Sequence, residues 1–313
     1  MARLRRDHWL REIEKLDPEE DYEQISRIIG NCEFPWDLQQ SLSLALFRTY
    51  AVPSIGRLLH DTNAFTGDVQ KRHDDTLLIL FSIANEGLDS TGGHTAVRRM
   101  NQMHGSHDIS NEDMRYVLSA FVVTPTRWID QYGWRKGVPA ERLAAVRYYQ
   151  RLGKLMGIND IPETYEEFEE LLDSYEAEHF AFDEKSLAVA DATLALFASF
   201  YPKPARKAAN ALLRSLMDDH LLEAFHYKKP SRPVVLLSRG VLKLRARIVA
   251  RLPGRPSPKR LEDFREIRSY PNGFSLESLG TFPAGCPIPR GQSPHAQSGH
   301  GQSAHTEDAG AGR

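Results

Sequence analysis

Imidazole groups are the side chains of this chain best placed to do chemistry. Twelve histidines occur among 313 residues, and five of the nine that precede residue 284 (His60, His73, His94, His104 and His107) fall within 48 positions. A neutral imidazole ligates metals and moves protons near neutral pH, so such a cluster points to a metal or redox site before it points to a fold. Spacing narrows the choice. A zinc protease needs His-Glu-x-x-His, and no such string occurs. A di-iron bundle needs two Glu-x-x-His motifs on facing helices plus two further glutamates, and Glu176-Ala177-Glu178-His179 has the spacing in an acid-rich stretch where chance supplies it. His73-Asp74-Asp75-Thr76 stops short of an Asp-Asp-x-x-Asp metal site. No Gly-x-Ser-x-Gly elbow, P-loop or dinucleotide fingerprint is present. Iron held in a porphyrin needs one protein ligand, commonly a histidine in an apolar helical pocket, and that requirement these residues can meet. Two other readings stay open. One is a non-haem metal protein using His104, His107, His179 and nearby carboxylates; the other is a helical lipid-binding module without catalysis.

The elements that must position these residues are helices. Apolar residues recur at helical spacing nearly throughout, and no alternating β-branched run is joined by hairpin turn chemistry, so the expected class is all-α. Helices are expected over about residues 36–50, 53–61, 68–86, 94–104, 110–131, 139–156, 164–179, 184–200, 203–216, 218–226 and 233–251, after a charged first helix and a start at Asp17-Pro18-Glu19-Glu20. Ser110 and Thr164, each with an acid three residues on, read as N-caps. Gly87, Gly105, Gly133 and Gly157 stand where helices should stop. Pro125 interrupts the apolar run Val117 to Trp128, so a kink or step bordering a cavity is expected there. Leu77, Leu80, Phe81, Phe121 and Val122 are candidates to line such a cavity. His104 and His107 flank Gly105 at the end of a helix, so both line one pocket only if the turn geometry brings them together.

Composition bounds the partners. The chain is 41% hydrophobic and 26% charged, with 40 basic against 42 acidic residues. Cys32 and Cys286 alone cannot build a disulfide framework or a thiolate zinc cage. The N-terminal residues lack an uninterrupted apolar run and no stretch is apolar enough to span a bilayer, so neither a signal peptide nor a membrane span is expected, and the localisation expected is cytoplasmic or peripheral at a membrane. The charge balance conceals two opposed blocks. Residues 159–184 hold eleven acids and no Lys or Arg; residues 228–260 hold eleven Lys or Arg and no acid, interleaved with Val234, Val235, Leu237, Val241, Leu242, Leu244, Ile248 and Val249. That basic amphipathic stretch is either a helix packed on the domain with a solvated basic face or a membrane-surface helix. Nucleic acid is not an expected partner, because no aromatic interleaving or binding module accompanies the basic patch. Residues 284–313 carry too little apolar mass to order themselves and read as a disordered tail.

At residues 48–62 and above all at 97–118 the sequence resembles the MpaB-type oxygenases, a family that includes a fungal oxygenase of mycophenolic acid synthesis and, more distantly, the latex-clearing rubber oxygenases. The strings that carry it are Arg48-Thr49-Tyr50-Ala51, Pro53-Ser54-Ile55, Leu58-Leu59, Arg99-Met100-Asn101 followed by His104, and Ile109-Ser110-Asn111-Glu112-Asp113-Met114. Arg127-Trp128-Ile129, Trp134-Arg135, the stretch from Tyr148 to Met156, and Tyr175-Glu176 extend it over about residues 33–255. The organisation this implies is an N-terminal extension (1–32), a catalytic domain (33–255), a C-terminal extension (256–283) and the tail (284–313).

The resemblance implies an all-helical fold, a b-type haem whose iron is gripped by one histidine, and dioxygen as co-substrate. His104 falls at the family's ligand position, with His107 as the fallback. On the opposite haem face the rubber oxygenases carry an arginine and a lysine-threonine pair. The corresponding stretch here is Arg57-Leu58-Leu59-His60-Asp61-Thr62, which would give Arg57 the cationic role and put His60 where the lysine stands, within reach of the iron's sixth position. The implied reaction is oxidative cleavage or oxygenation of an apolar, isoprenoid or unsaturated lipid-like chain.

Overall fold

The chain folds as helices laid one on another, and the computed structural model describes residues 4–280; the expected tail and Cys286 lie outside the described residues. The helices are α1 (His8–Ile13), α2 (Tyr22–Ile28), α3 (Pro35–Thr49), α4 (Pro53–Asp61), α5 (Ala64–Gly67), α6 (Val69–Glu86), α7 (Thr91–His104), α8 (Asn111–Tyr132), α9 (Pro139–Leu155), α10 (Tyr165–His179), α11 (Glu184–Ser199), α12 (Arg206–Leu216), α13 (Asp219–Ala224) and α14 (Arg232–Val249). No strand occurs among the described residues. The fold is therefore all-α, and no described helix is long and apolar enough to cross a membrane.

Local chemistry sets most boundaries. Ser110 Oγ accepts from Asp113 N at 3.0 Å and Thr164 Oγ1 from Glu167 N at 3.2 Å, so both expected caps hold the first turns of α8 and α10. Helix α6 stops at Gly87 (φ 92°), a left-handed conformation that a side chain would strain. One expectation fails. Asp17 starts a turn rather than a helix: Glu19 N donates to Asp17 Oδ1 at 3.0 Å and Asp21 N to Asp17 O at 2.6 Å. Helix α2 begins only at Tyr22, where an apolar face through Ile25 and Ile28 becomes available to bury. At Pro125, α8 continues unbroken from Asn111 to Tyr132. Proline deprives the Phe121 carbonyl of one rung, but Thr126 Oγ1 donates to Val122 O at 2.8 Å beside the gap, and the packed face keeps the helix whole.

Helix α8 is the central element, buried along most of its length from Tyr116 to Tyr132, with α3, α9 and α10 packed on it. Helices α6 and α7 form an antiparallel pair, so the start of α6 lies beside the end of α7. Residues 256–280 close over this pair instead of standing apart from it. Arg268 N and Ser269 N both donate to Asp74 Oδ2 at 2.9 Å, Tyr270 Oη bonds Asp75, and Arg99 Nε donates to Leu279 O at 2.6 Å. Gly280 lies against Met103, where a Cβ would come within 2.0 Å of the sulfur.

Asp74 is the anchor of that closure. Burial pushes its pKa up, but the bonds from His73 and from the two backbone amides prevail and hold the carboxyl at about 2. A pKa depressed on folding stabilises the protein above the unfolded value, about 4, and the contribution disappears as the pH falls towards 2. Asp74→Asn is expected to lower stability by roughly 2–3 kcal/mol at neutral pH by weakening charge-assisted, part-buried bonds from the Arg268 and Ser269 backbone amides. Thermal melts across pH check this: the gap to wild type should narrow as the pH drops below about 4, and a constant gap would refute the assignment.

Candidate functional site

The site is built around the end of α7. Among the conspicuous polar side chains of the family-like stretch from Arg99 to Asp113, most serve the scaffold. Arg99 binds the Leu279 carbonyl, and Asn101 Nδ2 donates to Leu155 O at 2.8 Å. Asn111 exchanges bonds with the Asn159 backbone, donating to its carbonyl at 3.3 Å and accepting from its amide at 2.9 Å. Asp113 accepts from Ser54 Oγ at 3.0 Å and Tyr175 Oη at 2.8 Å. His104 differs: its Nδ1 is buried without a hydrogen-bond partner. A buried polar atom without a partner is costly, and retaining one suggests a ligand as its purpose.

The electrostatics agree. Burial, with smaller contributions from the charges of Arg72 and His107, pulls the His104 pKa down to about 4, so the ring is neutral at physiological pH, the form in which imidazole ligates a metal. Arg72 reaches this point from the first turn of α6. Its guanidinium lies 5.4 Å from the Phe65 ring centroid and bonds Thr76 Oγ1, one turn further along the helix. Burial also lowers the Arg72 pKa, with Tyr50 and Asp75 acting against it. Tyr50, just past the end of α3, is buried edge-on against Phe65 (5.5 Å), and burial raises its phenol to about 12. His104, Arg72, Tyr50 and Phe65 thus bring the ends of α3, α5, α6 and α7 together, with Tyr50 and Phe65 buried and Arg72 and His104 half-buried.

The histidine cluster does not assemble as a whole. His107 lies one turn past His104, its amide donating to His104 O at 3.1 Å. His94 is exposed at the other end of α7. His73 is held by Asp74 at 3.0 Å, with its ring against Phe197 and Phe200. His60 Nδ1 is 3.0 Å from Asp61 Oδ1. Arg57 is 59% exposed and bonds Asp183 Oδ2 at 2.6 Å, away from any buried imidazole contact. The reason is the tight face of α4: Gly56 sits so close to α11 that a Cβ would fall 2.0 Å from Ser186 Oγ, and the residue next to it turns outward. Sequence reasoning does not single out Arg72, whose charge the structure brings near His104. The signal was present, because positions 72, 75, 79 and 82 fall on one face of α6 whose members Asp75, Ile79 and Ser82 are buried, and an arginine in that register is carried inside with them.

Other readings of the sequence come apart. His179 stacks on Tyr175 (4.0 Å) with Nδ1 at 3.1 Å from the Tyr175 carbonyl, and Glu176 is consumed by an ion pair with Arg48. No group of three or more His, Cys, Asp or Glu side chains among the described residues is placed to hold a metal ion. Cys32 is buried, and desolvation pushes its thiol up to about 11. A single-histidine cofactor fits the donor set, whereas a multi-residue cage does not.

A cavity of about 130 Å³ lies further along α6, walled by α3, α8 and α9. Leu80, Phe121 and Val122 line it together with Pro125, Tyr149 and Leu152, so three of the five expected lining residues are there. Phe81 instead packs edge-on against Phe264 (5.1 Å, 78°), and Leu77 is half-buried on α6 outside that lining. From Arg72 to Leu80 is eight residues of helix, or about 12 Å.

Residues 38–250 match the family described as ER-bound oxygenase mpaB/B'/Rubber oxygenase, catalytic domain. The ER-bound oxygenase mpaB' of Penicillium brevicompactum is 28% identical over 225 residues, covering 66% of this chain and 53% of that protein. The ER-bound oxygenase mpaB of Penicillium roqueforti is 27% identical over 231 residues, covering 68% of this chain and 77% of that protein. The mpaB of Penicillium brevicompactum is 28% identical over 231 residues, with 58% of its length covered, so the chain spans little more than half of two of these relatives. With the match running over most of the helical body described above, the chain belongs to the ER-bound oxygenase mpaB/B' and rubber oxygenase catalytic-domain family.

Proposed function

We propose that the chain is a haem b-dependent oxygenase that uses dioxygen to oxidise an apolar chain, an isoprenoid or unsaturated lipid. The observation that carries this reading is His104: a neutral, buried imidazole with an unpartnered nitrogen, in a stretch whose other prominent polar side chains are spent on the scaffold. His104 would hold the cofactor, and haem when bound supplies the dioxygen chemistry that side chains lack.

The remaining contributions are the protein's own. Arg72 offers a partly desolvated positive charge to negative charge that develops in the site, and a fixed cation acts more strongly there than in bulk water. Phe65 and Tyr50 help to exclude water. The apolar cavity at Leu80, Phe121 and Val122 holds a chain that offers no charge to grip, by contact and shape alone. Relatives named as oxygenases support the reaction class, and the substrate class rests on the apolar lining.

Arg72 is proposed for the cationic role in place of Arg57. Arg72→Leu should retain haem yet lower kcat/KM by roughly 10²–10³-fold, as loss of a preorganised charge does. Arg57→Ala should stay within about twofold, since exposed ion pairs contribute little. Steady-state oxygen consumption with a prenylated substrate decides between them, and the reverse ranking would return the role to α4. The reading as a whole is tested by expression with ample haem precursor, then anaerobic reduction, addition of prenylated substrates and then oxygen, with mass analysis of products. Correctly folded but porphyrin-free protein would overturn it.

A further inference from the structure

Helix α14 carries an apolar row that nothing among the described residues covers. Its inner face is settled: Ser238, Leu242 and Ala246 are buried, and Arg245 Nη1 bonds both oxygens of buried Asp37, at 2.8 and 3.0 Å, with its guanidinium 3.9 Å over Trp36. That bond to a buried carboxylate fixes the helix rotation, so its outer face cannot roll inward. Leu236 and Leu237 are 72% and 70% exposed, and Val241, Leu244 and Ile248 continue outward at helical spacing. Lys243, Arg247 and Arg251, four apart, are exposed beside this row. Across residues 228–260 there is no acid to pair with them.

We propose that α14 docks the protein on an anionic membrane surface, its apolar row entering the headgroup boundary and its cations meeting acidic lipid. The chemistry of the two rows is that of an interfacial helix, with aliphatic groups for the acyl boundary and snorkelling Lys and Arg for the headgroups. Charge selects this occupant over a second copy. Symmetric pairing of two α14 faces would bring two acid-free basic rows together, and like charges across an interface oppose association. A nucleic acid would leave the aliphatic row in water. The surface is independent of the cofactor site, so its failure would leave the oxygenase reading untouched.

The full chain is tested by co-sedimentation with phosphatidylcholine vesicles containing about one-third phosphatidylserine, against pure phosphatidylcholine. Wild type should bind the anionic vesicles more tightly, and added salt should weaken that binding. Lys243→Glu with Arg247→Glu should weaken it by at least roughly 25-fold, from about fivefold for each cation lost. Leu237→Glu with Ile248→Glu should abolish binding, while circular dichroism stays that of wild type because both positions are exposed. Equal binding to both vesicle types, or undiminished binding by the apolar double variant, overturns the proposal. So does sedimentation velocity showing a dimer that Leu237→Glu with Ile248→Glu dissolves, since a second copy would then be the occupant.

Discussion

If His104 holds haem as proposed, replacing it with alanine is expected to give folded, colourless protein, with haem falling from about one per chain to less than roughly a tenth, because one imidazole would then supply the entire protein ligation. The Soret band and pyridine haemochrome assay measure this directly. Changing His73, His94 or His60 should leave the spectrum intact, since each has a carboxylate partner or an exposed position away from the buried nitrogen. His107→Ala should retain haem with a modest spectral change, because His107 contributes only a minor part of the depression of the His104 pKa. Imidazole added to His104→Gly should restore part of the Soret absorbance by filling the vacated position. A His104 variant with a normal spectrum, beside a pale His107 variant, would move the ligand one turn on.

The second large effect is on stability, at Arg48. Its Nε donates to Glu176 Oε1 at 2.8 Å, further bonds reach Glu176 Oε2 and Asp218, and Tyr116 Oη donates to Glu176 Oε1 at 3.2 Å. These groups tie α3, α8, α10 and the start of α13 together inside the molecule. Arg48→Met should destabilise by about 3–5 kcal/mol, because it leaves the Glu176 carboxylate buried without its countercharge. Adding Glu176→Gln should recover part of that loss, since the amide oxygen still accepts from Tyr116 and no charge is stranded. Urea denaturation of the two variants checks this, and a double variant no more stable than Arg48→Met would show that the pair acts by packing alone. Arg48 belongs to one of the strings by which the family is recognisable, yet its role is scaffold and not chemistry.

That distinction limits what one sequence conveys. Caps, glycine stops and apolar periodicity are local, so α3, α4, α6 and α8 to α11 are legible to within a residue, while α7 starts three residues before the expected His94. Asp17 was misjudged because a cap and a proline start a helix only where an apolar face can be buried. The stretch around His104 stands out in the sequence because its residue types form a long, ordered string. Arg57 and Arg72 are alike in the sequence as arginines at helix positions, and only packing decides that Arg57 faces outward and Arg72 towards His104.

The all-α class, the capped helix ends, the acid-free basic stretch at 228–260 and the importance of the stretch around His104 follow from the chain alone, since each depends on neighbours within a few turns. The burial of Arg72 and Tyr50 beside that imidazole, the closure by residues 256–280 and the outward apolar row of α14 were decided only by tertiary packing. Burial and desolvation are properties of what covers a residue, and the covering groups come from parts of the chain up to about two hundred positions away.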